Sequence, residues 1–288
     1  MVINYGTIGT GWITDSWISA ASKSGRWRLH AVYSRTQEQA TAFASKYECT
    51  NTYTTLDGLA SDYAVEAVYI ASPNSLHYEQ AKYMLSHGTH VVLEKPATST
   101  VAELDDLFRI AKDNGVLLIE AYRHLQEANF KLLEKLLKER EILGPMYGAS
   151  LTYASYSSRY NNVLAGESPN IFSLKFSGGS LVDIGVYAVS FAVALWGAPE
   201  SSIYVPFICK TGVDGGGVII LRYKSFGVQI NNSKGYTSMA PCEIYGEKGT
   251  LTINGTTDIS SISHWSPKTK ERQELAGSYK TVEKPNVK

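Results

Sequence analysis

At 288 residues, with 44% hydrophobic residues and nine prolines, the chain is long enough to bury two cores and is not a disordered polymer. Lys plus Arg and Asp plus Glu number 27 each, so there is neither the basic field of a nucleic-acid binder nor an acidic one, and the expected partner is a small molecule. The three cysteines, Cys49, Cys209 and Cys242, are far apart without metal-type spacing, and read as reduced thiols of a cytoplasmic protein with no metal.

The N-terminus runs straight into "VINYGTIG", which leaves no room for a signal peptide, so no export is expected. Apolar strands are expected at Val2–Ile8, Arg28–Ser34, Val65–Ser72, His90–Glu94 and Val116–Ala121, with helical periodicity between most of them. Gly25, Gly88 and Gly115 follow helical segments as C-caps, and Thr100 to Glu103 has capping-box spacing. This alternation predicts an α/β Rossmann domain over residues 1–121, with a parallel sheet covered on both faces. Beyond it, one helix at Glu127–Glu139 precedes alternating segments such as "GPMYGASLTYASY", "GVIILRY", "FGVQINN" and "CEIYGEKGTLTI". These predict an α+β domain over residues 122–288 with a large, mostly antiparallel open sheet.

In "YGTIGTGWIT", Gly9, Gly11 and Thr14 occupy the G-x-G-x-x-G/A positions between a strand and a helix, so Gly9, Thr10, Gly11, Trp12 and Ile13 are expected to cradle a pyrophosphate. Thr14 departs from the pattern, and a threonine there calls for a slightly wider helix–strand fit. The second strand ends in Ser34, Arg35 and Thr36 rather than in an acid. A hydroxyl and a guanidinium suit a 2′-phosphate, which favours NADP over NAD, although Arg35 also reads as a solvated surface arginine. Ser72, Pro73 and Asn74 read either as turn formers and caps or as ligand contacts at the next strand end, ahead of His77. In "THVVLEKPAT" a buried strand closes on Glu94, Lys95 and Pro96, an expensive place for a charge. Lys95 is therefore expected to point at the ligand. The run "GGSLVDIGVYAVSFAVALWG" is too interrupted for a membrane span and predicts a buried helix from Ser180 to Trp196. Asp183 and Tyr187 stand i, i+4 on one face, either as a cap and a core tyrosine or as site residues.

In order, "GTIGTGWI", "SPNSLHYE", "EKP", "EAYRH", "GGSLVDIGVYAV" and "IYGEKGTLTI" resemble the Gfo/Idh/MocA oxidoreductases (glucose–fructose oxidoreductase, inositol dehydrogenase and rhizopine-catabolism proteins) along nearly the whole chain. The resemblance implies a catalytic, nicotinamide-side role for Lys95, often next to a cis Lys-Pro bond. Where the inositol dehydrogenase branch has a histidine, this chain has Tyr187, which resembles the glucose–fructose oxidoreductase and dihydrodiol dehydrogenase branch and implies an acid/base. A tyrosine titrating near ~10 is a poor base, and the Lys95 ammonium would lower that value. Asp183 would orient the substrate hydroxyl or Lys95, while Glu94, Glu120 and Arg123 would flank the nicotinamide. The implied reaction is NAD(P)-dependent hydride transfer to or from a secondary alcohol of a sugar, cyclitol or diol. A dinucleotide-binding sensor and a biliverdin-type carbonyl reductase are the alternatives. The tail "KTVEKPNVK" lacks the apolar helix with which many members close against the Rossmann domain. The loops at 156–176 and 212–217 are expected to set substrate choice. Tyr147, Tyr153, Tyr156 and Tyr160 are expected to help form a sheet face buried in a homodimer or homotetramer.

Overall fold

The computed structural model describes residues 1–277; the tail "KTVEKPNVK" lies outside them. Two compact units divide the chain between Ala121 and Tyr122.

The first unit alternates β1 (Ile3–Ile8), α1 (Trp12–Ser24), β2 (Trp27–Tyr33), α2 (Gln37–Ala44), β3 (Asn51–Tyr53), α3 (Leu56–Ala60), β4 (Ala67–Ile70), α4 (His77–Ser86), β5 (His90–Leu93), α5 (Val101–Asp113) and β6 (Leu118–Glu120). Six parallel strands lie in the order β3-β2-β1-β4-β5-β6. This is the doubly wound order, which reverses direction between β1 and β4. Apolar strands buried on both faces make the alternation readable: Ala67, Val68, Tyr69 and Ile70 are all buried. Gly25, Gly88 and Gly115 take the left-handed conformation at helix ends. In the capping box, the Thr100 hydroxyl accepts from the Glu103 N–H and the Glu103 carboxylate accepts from the Thr100 N–H.

The second unit contains α6 (Ala128–Glu139), β7 (Met146–Ala154), α7 (Tyr160–Leu164), α8 (Val186–Trp196), β8 (Ser201–Ile208), β9 (Asp214–Arg222), β10 (Gly227–Ser233), β11 (Cys242–Gly246), β12 (Gly249–Ile253), β13 (Ile262–Ser266) and β14 (Glu271–Glu274). Eight strands follow the order β14-β13-β12-β11-β7-β10-β9-β8, antiparallel except for the β7–β10 pair. Register explains the two faces. Leu221, Val228, Ala149, Ile244 and Leu251 align across five strands and bury against Phe130 and Leu133 of α6 and Ala188, Phe191 and Ala192 of α8. One residue out of phase, Ile203, Ile220, Gln229, Ser150, Glu243 and Thr252 form the opposite row. Tyr153 follows the core-side parity and its ring meets Tyr187, so it does not belong to the open face as the sequence reading had it.

The stretch Leu174–Trp196 is long and apolar enough to cross a membrane by length and composition. The chain breaks helical geometry at Ser177 (φ 53°) and Gly179 (φ 142°), and the helix that follows buries Ala188, Phe191 and Ala192 on the sheet, as a core helix does. That helix opens with one π turn, Leu181–Gly185, before continuing as α8.

Candidate active site

Parallel strands put all their carboxyl ends on one edge of the first unit, and the residues expected to bind the dinucleotide follow those ends. Gly9, with φ 113°, follows β1; a Cβ there would stand 2.5 Å from the Ala71 carbonyl oxygen and 3.2 Å from the Ser72 nitrogen. Glycine is thus required for the β1–α1 turn to pass the end of β4. Gly11 is the N-cap of α1, makes no side-chain cap hydrogen bond, and has no atom within 4 Å of where a Cβ would project. Open space in front of unclosed helical N–H groups fits a pyrophosphate. Thr14, expected to need a wider fit, is instead fully buried, and its hydroxyl makes no hydrogen bond among the described residues.

At the end of β2, Ser34 is buried and donates its hydroxyl to Gln39 Oε1 at 3.1 Å, and Thr36 is the N-cap of α2, accepting from the Gln39 N–H at 3.3 Å. Both hydroxyls therefore have structural work, and Arg35 between them is exposed.

The loops after β4 and β5 are bound to each other. His77, 1% exposed, sets Nδ1 2.9 Å from the Pro96 carbonyl oxygen and Nε2 2.9 Å from the Ser72 carbonyl oxygen. With both nitrogens so placed and the ring buried, His77, expected among the cofactor-binding residues, brackets the two loops. Ser72 Oγ donates to Gln80 Oε1 at 2.6 Å. The Lys95–Pro96 bond is cis, as the resemblance implied. Glu94 accepts from the Tyr69 hydroxyl at 2.6 Å and from the Lys95 N–H at 3.2 Å, and Glu120 accepts from the Ala97 N–H at 2.8 Å. Glu94 and Glu120 thus brace the turn that carries the half-buried Lys95.

In the second unit the π turn presents Asp183, and Tyr187 stands one turn further on in the first turn of α8. Such wide turns recur at functional sites because they rotate side chains out of the α register. The turn is pinned: Asp214 Oδ2 accepts from the Leu181 N–H at 2.7 Å and from the Tyr204 hydroxyl at 2.6 Å, and the buried Ser180 hydroxyl donates to Asn232 Oδ1 at 2.9 Å. The rings of His124 and Tyr153 meet Tyr187 edge-on, with centroids 5.0 and 5.4 Å away. Arg123, expected beside the cofactor, makes a two-pronged bond to Asp258 at 3.1 Å and reaches Glu127 Oε1 at 3.3 Å. Burial works against its charge; Asp258 foremost, then Tyr187 and Glu127, hold it, so its proton affinity is raised overall. Two partners escaped the sequence reading: His124, although the quoted "EAYRH" contains it, and Lys234, whose ammonium donates to Asp183 Oδ2. Among the described residues no group of three or more His, Cys, Asp or Glu is arranged to hold a metal ion.

Residues 3–122 match the model of an oxidoreductase family with an NAD-binding Rossmann fold, and residues 132–252 match the GFO/IDH/MocA C-terminal domain. The chain belongs to the Gfo/Idh/MocA oxidoreductase family. It is 42% identical over 253 residues to scyllo-inositol 2-dehydrogenase (NADP(+)) IolU of Bacillus subtilis (strain 168), covering 88% of this chain and 76% of that protein. With the uncharacterized oxidoreductase YgjR of Escherichia coli (strain K12) it shares 40% identity over 274 residues, 95% of this chain and 82% of that one. An aldose-aldose oxidoreductase from Caulobacter crescentus has the same fold, with TM-score 0.84 at 21% identity over 99% of this chain and 86% of its own. As a Gfo/Idh/MocA protein the chain is an NAD(P)-dependent oxidoreductase.

The buried bracket has a pH signature. Burial, ahead of the nearby Lys95 charge, drives the His77 proton affinity below that of a free imidazole, outweighing its two carbonyl contacts. The folded state therefore binds fewer protons than the unfolded one below about pH 6.5, and stability should fall as pH drops from there, by at most about 1.4 kcal/mol per pH unit from this group. His77→Gln keeps hydrogen-bond donors but cannot titrate. Urea unfolding at pH 5 to 7 should show a shallower acid loss in this variant; an unchanged slope would refute the assignment.

Proposed function

We propose that the protein is an NADP-preferring dehydrogenase of a secondary alcohol in a sugar, cyclitol or related diol. The observation that carries this reading is the 42% identity with an NADP-dependent scyllo-inositol dehydrogenase over 88% of the chain, in a sequence that has Lys95, Asp183 and Tyr187. Other relatives support the same substrate class: a trans-1,2-dihydrobenzene-1,2-diol dehydrogenase of Mus musculus at 28% identity and a D-xylose 1-dehydrogenase (NADP(+)) of Haloferax volcanii at 29%. Reduced cysteines and a small polar substrate suit a cytoplasmic location.

In this reading Gly9, Thr10, Gly11, Trp12 and Ile13 hold the pyrophosphate, Arg35 the 2′-phosphate, and Ser72, Pro73 and Asn74 line the dinucleotide's path. Bound nicotinamide supplies the hydride acceptor or donor. Lys95 binds the reacting oxygen and stabilises negative charge on it. Tyr187 takes the hydroxyl proton in oxidation and returns it in reduction. Arg123, whose charge Tyr187 senses within its own unit, helps the phenolate form, and Asp183 orients the substrate. Lys95→Met and Tyr187→Phe should each cut turnover at least roughly a hundredfold while NADP still binds. Near-native turnover in both, measured as reduced-nicotinamide absorbance across a polyol panel, would remove them from the chemistry.

Cofactor choice rests on Arg35. Each charge-assisted bond to a 2′-phosphate contributes about 1.5–3 kcal/mol, enough for at least about tenfold preference. Fluorescence titration should show tighter binding of NADP than NAD, and Arg35→Ala should erase most of the difference with little effect on NAD. Equal weakening of both would reassign Arg35 to the solvated surface.

The open sheet face supports self-association. Ile203 and Val205 are each 63% exposed and neighbour the exposed Ile220, an apolar group that seldom stays open. Light scattering at micromolar concentration should give a dimer or a dimer of dimers, and a monomer would overturn this.

A further inference from the structure

Lys234 is the residue next to β10, 6% exposed, and its ammonium donates a hydrogen bond to Asp183 Oδ2. A lysine taken so far from water is unfavourable unless an acid meets it, and every element around it is arranged to keep that meeting in place. Its N–H donates to the Gly215 carbonyl at 2.8 Å, and its own carbonyl accepts from the Ser157 N–H at 2.9 Å. The fully buried Phe172 ring lies under the ammonium, 5.6 Å from Nζ to centroid. The following residue, Gly235, passes through a slot in which a Cβ would be 2.8 Å from the Phe207 ring and 3.1 Å from that of Tyr160. On the opposite side Asp183 is carried by a π turn fixed through Leu181 to Asp214 and through Ser180 to Asn232.

We propose that Lys234 is a positioning residue that keeps Asp183 an oriented carboxylate one turn from Tyr187, able to accept a hydrogen bond from the substrate and not to donate one. The role in turnover rests on the dehydrogenase reading above; the pairing itself does not. Other ionisable groups surround the pair. Asp214 is engaged by the Leu181 N–H and the Tyr204 hydroxyl, and burial, then Asp214, raises the Tyr204 phenol. Tyr160 and Cys209, which bond to each other, are also raised, mainly by burial. His124 and Arg123 stand nearer Tyr187. The phenols and the thiol stay neutral through mildly acidic pH, so an acid limb that responds to Lys234 is assigned by removing Asp183.

The test uses the full chain as wild type, Lys234→Met, Lys234→Arg, Asp183→Asn and the double variant Lys234→Met with Asp183→Asn. In kcat/KM profiles with NADP and the best polyol, Lys234→Met should move the acid limb upward by about one pH unit or more, about tenfold in rate at the wild-type limb. Lys234→Arg should restore it, NADP affinity should stay within about twofold, and the double variant should be no worse than Asp183→Asn. In urea, Lys234→Met should gain stability relative to wild type as pH falls, because the half-buried Asp183, deprived of the ammonium, takes up a proton more readily than it does in the wild type; the double variant should not. Should Lys234→Met fail to fold, Lys234→Gln replaces it. A uniform loss at every pH with the limb in place, together with pH-independent urea differences, would make Lys234 a cross-link only and overturn the proposal. A wild type that oxidises no polyol would instead defeat the dehydrogenase reading, while the urea arm still decides whether Lys234 sets the state of Asp183.

Discussion

The first unit depends on satisfying the backbone where β5 stops. Val91, Val92 and Leu93 are buried, so the residues that follow leave the strand in a place where a lost N–H or C=O partner is costly. Two side chains from other segments and one from the strand end itself supply the partners. His77 of α4 faces the Pro96 carbonyl, Glu120 of β6 takes the Ala97 N–H, and Glu94 takes the Lys95 N–H while Tyr69 of β4 holds its other oxygen. This answers why a buried strand closes on a charged pair and a proline. Glu94 serves the backbone, and the backbone so fixed carries Lys95.

The second unit solves a similar problem with charge. A helix that begins with a widened turn leaves its first N–H groups without the usual partners, and Asp214 reaches across from β9 to take one of them. Asn232 then has two tasks, accepting from Ser180 and donating to the Gly217 carbonyl at 3.2 Å, which locks the turn onto β9 and β10. Gly185 is small because a Cβ there would sit 3.1 Å from the Asn232 side chain. The sheet therefore sets the rotation of Asp183, and α8, packed by Phe191 on Phe130, sets that of Tyr187.

What the sequence made legible was whatever local periodicity or short spacing encodes. Five of the six first-unit strands, the glycine caps, the capping box and the i, i+4 relation of Asp183 to Tyr187 all lie within a few residues of chain. Elements that gain stability only from neighbours were not visible. β3 has three residues and exists because β2 offers it an edge. β8 contains Pro206, which speaks against a strand but is tolerated at the outer edge of a sheet. The partners of site residues were hidden for the same reason: Lys234 is 51 residues from Asp183, and Asp258 is 135 from Arg123. Nothing in "NNSKGY" distinguishes a buried lysine from a solvated one. Equally, nothing in "SLHYE" reveals that both nitrogens of His77 are occupied by backbone carbonyls.

Of the two loops expected to choose the substrate, the second is only the turn that ends at Val213, since Asp214–Gly217 already belong to β9, and residues of that turn share a small core with the 156–176 segment. Val163 and Phe172 from one side pack with Cys209 and Val213 from the other, with Tyr160 and Ile171 against them. That separation from the main core has a consequence for specificity. Residues at the loop tips can change without disturbing the sheet, provided the four buried side chains keep Phe172 in place under Lys234. Variation of exposed side chains at the rim is then compatible with a fixed Asp183–Lys234 pair, because the contacts that hold it run through the buried Phe172 ring, Asn232 and the backbone groups of Gly215 and Ser157.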